Sequence, residues 1–138
     1  MHKFAYQTLG LAAAFVATGA LAEATRPLDA LGACRLDDSR VALRFTFEGG
    51  ACQQPGEPFL ARGKDGIGNV TVPTANVGEI CTMQIVPVQF AGVVDAPETI
   101  TTLDITVLKP NGNRQALGST DVATGPEECV EPEAKAAE

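Results

Sequence analysis

Residues 40–47, RVALRFTF, place Val41, Leu43, Phe45 and Phe47 at every second position, with Ala42, Arg44 and Thr46 between them. A period of two marks a strand with one buried face, because successive side chains leave a pleated backbone on opposite sides. Turn formers bound the run, Asp37, Asp38 and Ser39 before it and Glu48, Gly49 and Gly50 after it. Asp and Ser bond to nearby backbone, and Gly admits positive φ. The chain is therefore read as one built on strands.

Working outward, residues 99–108 repeat the pattern, with Leu103, Ile105 and Val107 on one face and Thr102, Asp104 and Thr106 on the other. Asn111-Gly112 then separates this run from residues 114–122, a strong hairpin signal because both residues tolerate the positive φ of a tight turn. Weaker strands are expected at residues 58–62 and 69–73, joined by the glycine-rich loop Gly63-Lys64-Asp65-Gly66-Ile67-Gly68. Residues 81–94 are rich in β-branched side chains and favour an extended conformation. Pro87 interrupts them. Proline donates no ladder hydrogen bond, which implies an edge or a bulge there. Residues 23–33 show no apolar period and are expected to be an irregular lead-in.

Six or seven short strands about ten residues apart, with no internal repeat and almost no helical period, predict an all-β fold: a small antiparallel β-sandwich stapled by disulfides. An immunoglobulin-like topology comes first and a small barrel second, since the tryptophan typical of true immunoglobulin domains is missing.

Residues 1–22, MHKFAYQTLGLAAAFVATGALA, have the basic start, apolar middle and small-x-small end of a secretory signal peptide. The expected product is exported, periplasmic or secreted, with one β domain at 23–124 and an acidic tail at 125–138 that carries Glu127, Glu128, Glu131 and Glu133. Nine basic residues then face seventeen acidic ones, for a formal charge of −8. The basic residues are scattered singly, so neither nucleic acid nor an anionic membrane is an expected partner. No later apolar run approaches the roughly 20 residues needed to span a bilayer, so no membrane insertion is expected after cleavage.

Cys34, Cys52, Cys81 and Cys129 all follow the cleavage site and are expected to pair as structural disulfides. Neighbours in chain order suggest Cys34–Cys52 and Cys81–Cys129, one of three connectivities. Metal and redox roles are disfavoured, because the nearest two cysteines stand eighteen positions apart with no Cys-x-x-Cys spacing.

Cleavage also removes His2 and Tyr6, the only residues of their types, and the sequence has no tryptophan. Without an imidazole, Ser-His-Asp and Cys-His hydrolases and histidine-ligated zinc or copper sites are excluded, and Ser39 and Ser119 lie in polar, turn-like settings. A carboxylate-dependent enzyme drawing on Asp37, Asp38, Asp95 and Asp104 is retained as an alternative. Phe45, Phe47, Phe59 and Phe90 are assigned to core packing, not to a sugar platform. The loop at 64–69 carries the glycines and oxygens of a calcium turn but no bidentate Glu in register, so a plain connection is expected, and no cofactor or metal. Asn69-Val70-Thr71 matches the glycosylation acceptor pattern.

The expected function is a non-enzymatic protein-interaction domain, such as an adaptor, envelope component or inhibitor. It would dock a protein partner through loops and a sheet edge, the candidate surface being Lys64, Asp65, Asn69 and Pro87. A self-associating surface or appendage subunit is the alternative, and oligomeric state is open.

Overall fold

The computed structural model describes residues 25–78 and 80–125. Within them lie ten strands: β1 (Arg26–Pro27), β2 (Asp29–Arg35), β3 (Arg40–Gly50), β4 (Gln53–Pro55), β5 (Phe59–Arg62), β6 (Ile67–Val72), β7 (Thr74–Asn76), β8 (Ile85–Asp95), β9 (Thr102–Leu108) and β10 (Arg114–Ala123). The expected signal peptide, Cys129 and all but the first residue of the expected tail lie outside the described residues.

Seven strands form one path in the order β5-β6-β9-β10-β2-β3-β8, with β1 added beside β10; β4 and β7 make a separate pair. The all-β expectation holds. The sheet, however, is mixed, because β6–β9, β10–β2 and β1–β10 are parallel pairs, and it curls into a half-barrel; the expected wholly antiparallel sandwich is not what the pairing gives.

Curling puts the alternating faces to use. Val41, Leu43, Phe45 and Phe47 of β3 are buried, as are Val70 and Val72 of β6 and Leu103, Ile105 and Val107 of β9. Phe90 and Val94 of β8 complete the concave side, with the Phe90 ring stacked on Phe45 at 4.8 Å between centroids. Gly68 allows this close packing: a Cβ there would stand 2.6 Å from a Leu60 methyl and 3.1 Å from Ile100, so these side chains would have to shift.

Two expectations need correction, the lead-in and the disulfides, while the expected hairpin at Asn111-Gly112 forms between β9 and β10. Within the lead-in expected to be irregular at 23–33, residues 26–27 form β1 and residues 29–33 belong to β2; β2 has no period of its own and is extended because β3 and β10 pair with it, with an irregularity between Asp29 and Gly32 where Ala30 takes φ 50°. At the Asn111-Gly112 turn only Gly112 takes positive φ (89°), while the Asn111 side chain accepts from the Asn113 N–H at 2.9 Å. The disulfide is Cys52–Cys81, with Cα atoms 5.5 Å apart, so neither expected pairing stands. Cys34 lies opposite Ala42, and β3 continues from there to Gly50, roughly 27 Å of strand at 3.4 Å per residue, so Cys52 is far beyond the about 7 Å that a disulfide spans. Cys34 is itself disulfide-bonded.

Two polar anchors hold the ends of the half-barrel. The Arg35 guanidinium donates to the carbonyls of Asp37, Ala96, Pro97 and Ile100 at 2.9–3.0 Å, tying the β8–β9 connection to β2. At the other end, buried Gln53 donates from Nε2 to the Thr74 hydroxyl (2.7 Å) and bonds Gln115, while Thr74 donates to the Leu108 carbonyl (2.6 Å). The β4–β7 pair is thereby fastened to β9 and β10.

Candidate docking groove

The two ends of the sheet path, β5 and β8, face each other across a groove of about 950 Å³. Its apolar lining includes Phe59 and Leu60 from β5 and Phe90, Val93 and Val94 from β8; among the described residues Glu57 and Asp95 are its charged ones.

Which backbone groups face this groove follows from hydrogen bonds at the strand ends. The Ala51 N–H donates to the Gln84 carbonyl (3.1 Å) and the Ala96 N–H to the Ser39 carbonyl (2.8 Å), bracketing the β3–β8 register. Antiparallel pairs alternate between bonded and non-bonded, so residues 86, 88, 90, 92 and 94 exchange bonds with β3. The backbone groups of Ile85, Pro87, Gln89, Ala91, Val93 and Asp95 therefore point away from β3. On β5 the Gly63 N–H donates to the Ile67 carbonyl (2.8 Å), which by the same alternation turns residues 59 and 61 toward β6 and the backbone of Leu60 and Arg62 toward the groove. Among the described residues no further strand pairs with these outward rows.

Pro87 sits on the end strand, opposite Glu48, at a position facing the open side. Its ring thus costs no bond to β3, which is why an eleven-residue strand accommodates it.

The other singled-out residues are placed elsewhere. Lys64 and Asp65 form the tip of the β5–β6 hairpin, where Asp65 (φ 56°) and Gly66 (φ 79°) make the turn. The Lys64 carbonyl accepts from Ile67 and the Gly66 carbonyl from Thr101. These bonds give the loop the role of a tight connection, and no group of three or more His, Cys, Asp or Glu suited to a metal lies among the described residues. Asn69 is exposed on β6, between Ala61 and Asp104. Because Gly66 bonds to Thr101, the hairpin tip lies by the connection that follows β8, whereas Pro87 is eight residues back from Asp95, about 27 Å of strand. The four residues do not form one surface.

The four acids weighed for catalysis do not line one cleft: Asp37, Asp38 and Asp95 lie at the β2–β3 turn, where Arg40 stands opposite Asp95, and Asp104 lies apart from them on β9. Asp37 accepts from the Ser39 N–H (2.9 Å) and hydroxyl (3.0 Å) and from Arg40 Nε (2.8 Å), and these bonds, the Ser39 N–H first, lower its pKa from 3.8 to about 2. Asp38 is in the same turn, Asp95 ends β8, and Asp104 on β9 accepts from the Ser119 hydroxyl of β10. A second hollow of about 320 Å³ beside Arg35 has one acid, Glu98, in its lining.

Phe59 and Val93 were not legible as site residues. Phe45, Phe47 and Phe90 are buried as expected, but Phe59 is 56% exposed. Its neighbours Pro58 and Gly56 are the signal available in the sequence, since they keep the strand short and the region free of any strong period. Exposed apolar side chains continue from the β8 edge into the segment leading to it, with Ile85, Met83 and Ile80 exposed and Cys81 anchored to Cys52.

Comparison with protein-family models, with curated proteins and with solved structures finds no match, so the reading of the groove rests on its geometry and chemistry.

Proposed function

We propose that this protein is an exported, non-enzymatic interaction domain that docks a partner protein by strand addition at the β8 edge. The observation carrying this reading is the outward row of backbone groups at Gln89, Ala91, Val93 and Asp95, set beside exposed apolar side chains. Long apolar edges are normally shortened, charged or covered, because they recruit other strands. β8 has eleven residues and one charge, Asp95, and Pro87 blunts its first half only. Strand addition supplies main-chain hydrogen bonds for affinity and leaves side-chain pockets for selectivity. The Cys52–Cys81 disulfide is consistent with the oxidising compartment that export implies.

Ala91→Pro tests the reading. It removes an N–H that faces the groove while leaving the bonds to β3 intact. Crosslinking in the native compartment should recover a partner with the parent chain and lose it with the variant, whose melting temperature stays close to the parent's. An equal yield from both chains refutes edge docking.

A self-associating subunit is the second reading, favoured by the near absence of charge on β8, which lowers repulsion between copies. Sedimentation of the purified protein separates the two: an oligomer that survives dilution supports self-assembly, and a monomer supports a different partner.

A further inference from the structure

We infer that the occupant of the groove is one extended segment of a different protein, apolar and carrying a lysine or arginine, which runs antiparallel to both β5 and β8 and closes the half-barrel. This rests on the edge-docking reading given above and specifies the partner's chemistry and direction.

Direction follows from the pairings. Along the path from β5 to β8, the steps β5–β6, β9–β10, β2–β3 and β3–β8 are antiparallel, while β6–β9 and β10–β2 are parallel. Four reversals return the original sense, so β5 and β8 run the same way around the curl. A single strand of opposite sense therefore pairs antiparallel with both, meeting the outward groups of Leu60 and Arg62 on one side and of Gln89, Ala91, Val93 and Asp95 on the other. Residues 89–95 extend over about 20 Å, the length of a strand of six or seven residues.

Side-chain chemistry sets the composition. On the concave side the segment meets Leu60, Phe90 and Val94, and on the convex side the exposed Phe59 and Val93. Both faces of the incoming strand are thus offered apolar neighbours. Among the described residues lining the groove the charged ones, Glu57 and Asp95, are both negative, Arg40 lying opposite Asp95 on the β3 side away from the groove, and the chain has a formal charge of −8 after the expected cleavage. A basic residue in the segment complements them. Two closer sources fit poorly: residues 126–138 contain five glutamates and one lysine, and the β8 strand of a second copy carries no basic residue.

The test places a photo-crosslinking amino acid singly at Phe59, Gln89 and Val93 of the full chain, in its native compartment, and sequences the joined peptides. All three positions are exposed, so the substitutions leave the core untouched. The expected result is one partner segment joined from all three, containing Lys or Arg, with the Val93 crosslink nearer its N-terminus than the Gln89 crosslink. The double variant Glu57→Gln, Asp95→Asn should lower the yield roughly threefold, as the loss of partly exposed charge pairs does. The inference is overturned by different segments at Phe59 and Val93, by the reverse order, by an acidic segment, by an undiminished yield from the double variant, or by peptides of this chain. A partner joined from Gln89 and Val93 but not Phe59 overturns the bridging strand and leaves edge docking standing. No crosslink from any position overturns both.

Discussion

Pro87 stands opposite Glu48 in the β3–β8 ladder, at a position whose backbone faces away from β3. The missing N–H is therefore subtracted from the open edge and not from the sheet. Prolines on such edges interrupt the donor row that would otherwise recruit another strand. Pro87→Val should complete that row and raise self-association without lowering the melting temperature. Light scattering at increasing concentration measures it, and an unchanged monomer would show that Pro87 has no protective role.

The turn between β2 and β3 is expected to respond to acid. Asp37, held by the Ser39 N–H and then by Arg40, has its pKa lowered from 3.8 to about 2. A carboxyl whose folded pKa is depressed contributes stability that is present above the unfolded value and lost as pH falls through the folded one. The contribution of Asp37 should fade between about pH 4 and pH 2. Asp37→Asn should flatten the stability profile in that window and leave the slope at neutral pH alone; paired melts of parent and variant read the difference.

Arg35 joins elements far apart in sequence, with four carbonyls arranged around one planar fork. Lysine keeps the charge but presents it at a point and cannot serve the same set. Arg35→Lys should cost about 2 kcal/mol, as loss of hydrogen bonds to a charged group does. Denaturant melts measure the loss, and a change below about 0.5 kcal/mol, the ordinary range for a surface substitution, would mean the carbonyls find water equally well.

Packing around Gly68 has little room. A first carbon there already meets Leu60 and Ile100, with Leu103 at 3.2 Å. Gly68→Val should destabilise by about 1–3 kcal/mol, the cost of overfilling a packed interior. Because Leu60 also lines the groove, the same substitution should disturb amide signals on β5 before those on β3. Spectra in which β3 shifts first would contradict the packing described.

The strands that were legible in the sequence are those whose burial is written in their own residues. Val41 to Phe47 and Leu103 to Val107 alternate because each packs one face on the core, and local spacing records it. Strand β2 was not legible, since DALGACR has no period and is extended because β3 lies on one side of it and β10 on the other. The parallel pairs β6–β9 and β10–β2, which turn a sandwich expectation into a curled mixed sheet, join segments through crossovers that no local pattern encodes. The cysteine pairing depended on ladder register, which sets Cys34 of β2 opposite Ala42 near the start of β3, whereas Cys52 follows the far end of β3. Pro87 was the one part of the site visible from the start, because a proline in a strand has few places to be. The groove itself was hidden: it needs β5 and β8 to be the two ends of one path, and only the completed sheet order brings Phe59 toward Val93.

Amide hydrogen exchange along β8 tests the open edge most directly. In the free protein, protection should alternate: Val88, Phe90 and Val94 slow, and Gln89, Ala91, Val93 and Asp95 fast. On addition of a partner recovered by crosslinking, the fast set should become protected together with Leu60 and Arg62. Uniform protection along β8 in the free monomer, or a bound complex in which Gln89, Ala91, Val93 and Asp95 still exchange rapidly, would contradict a docking edge at this groove.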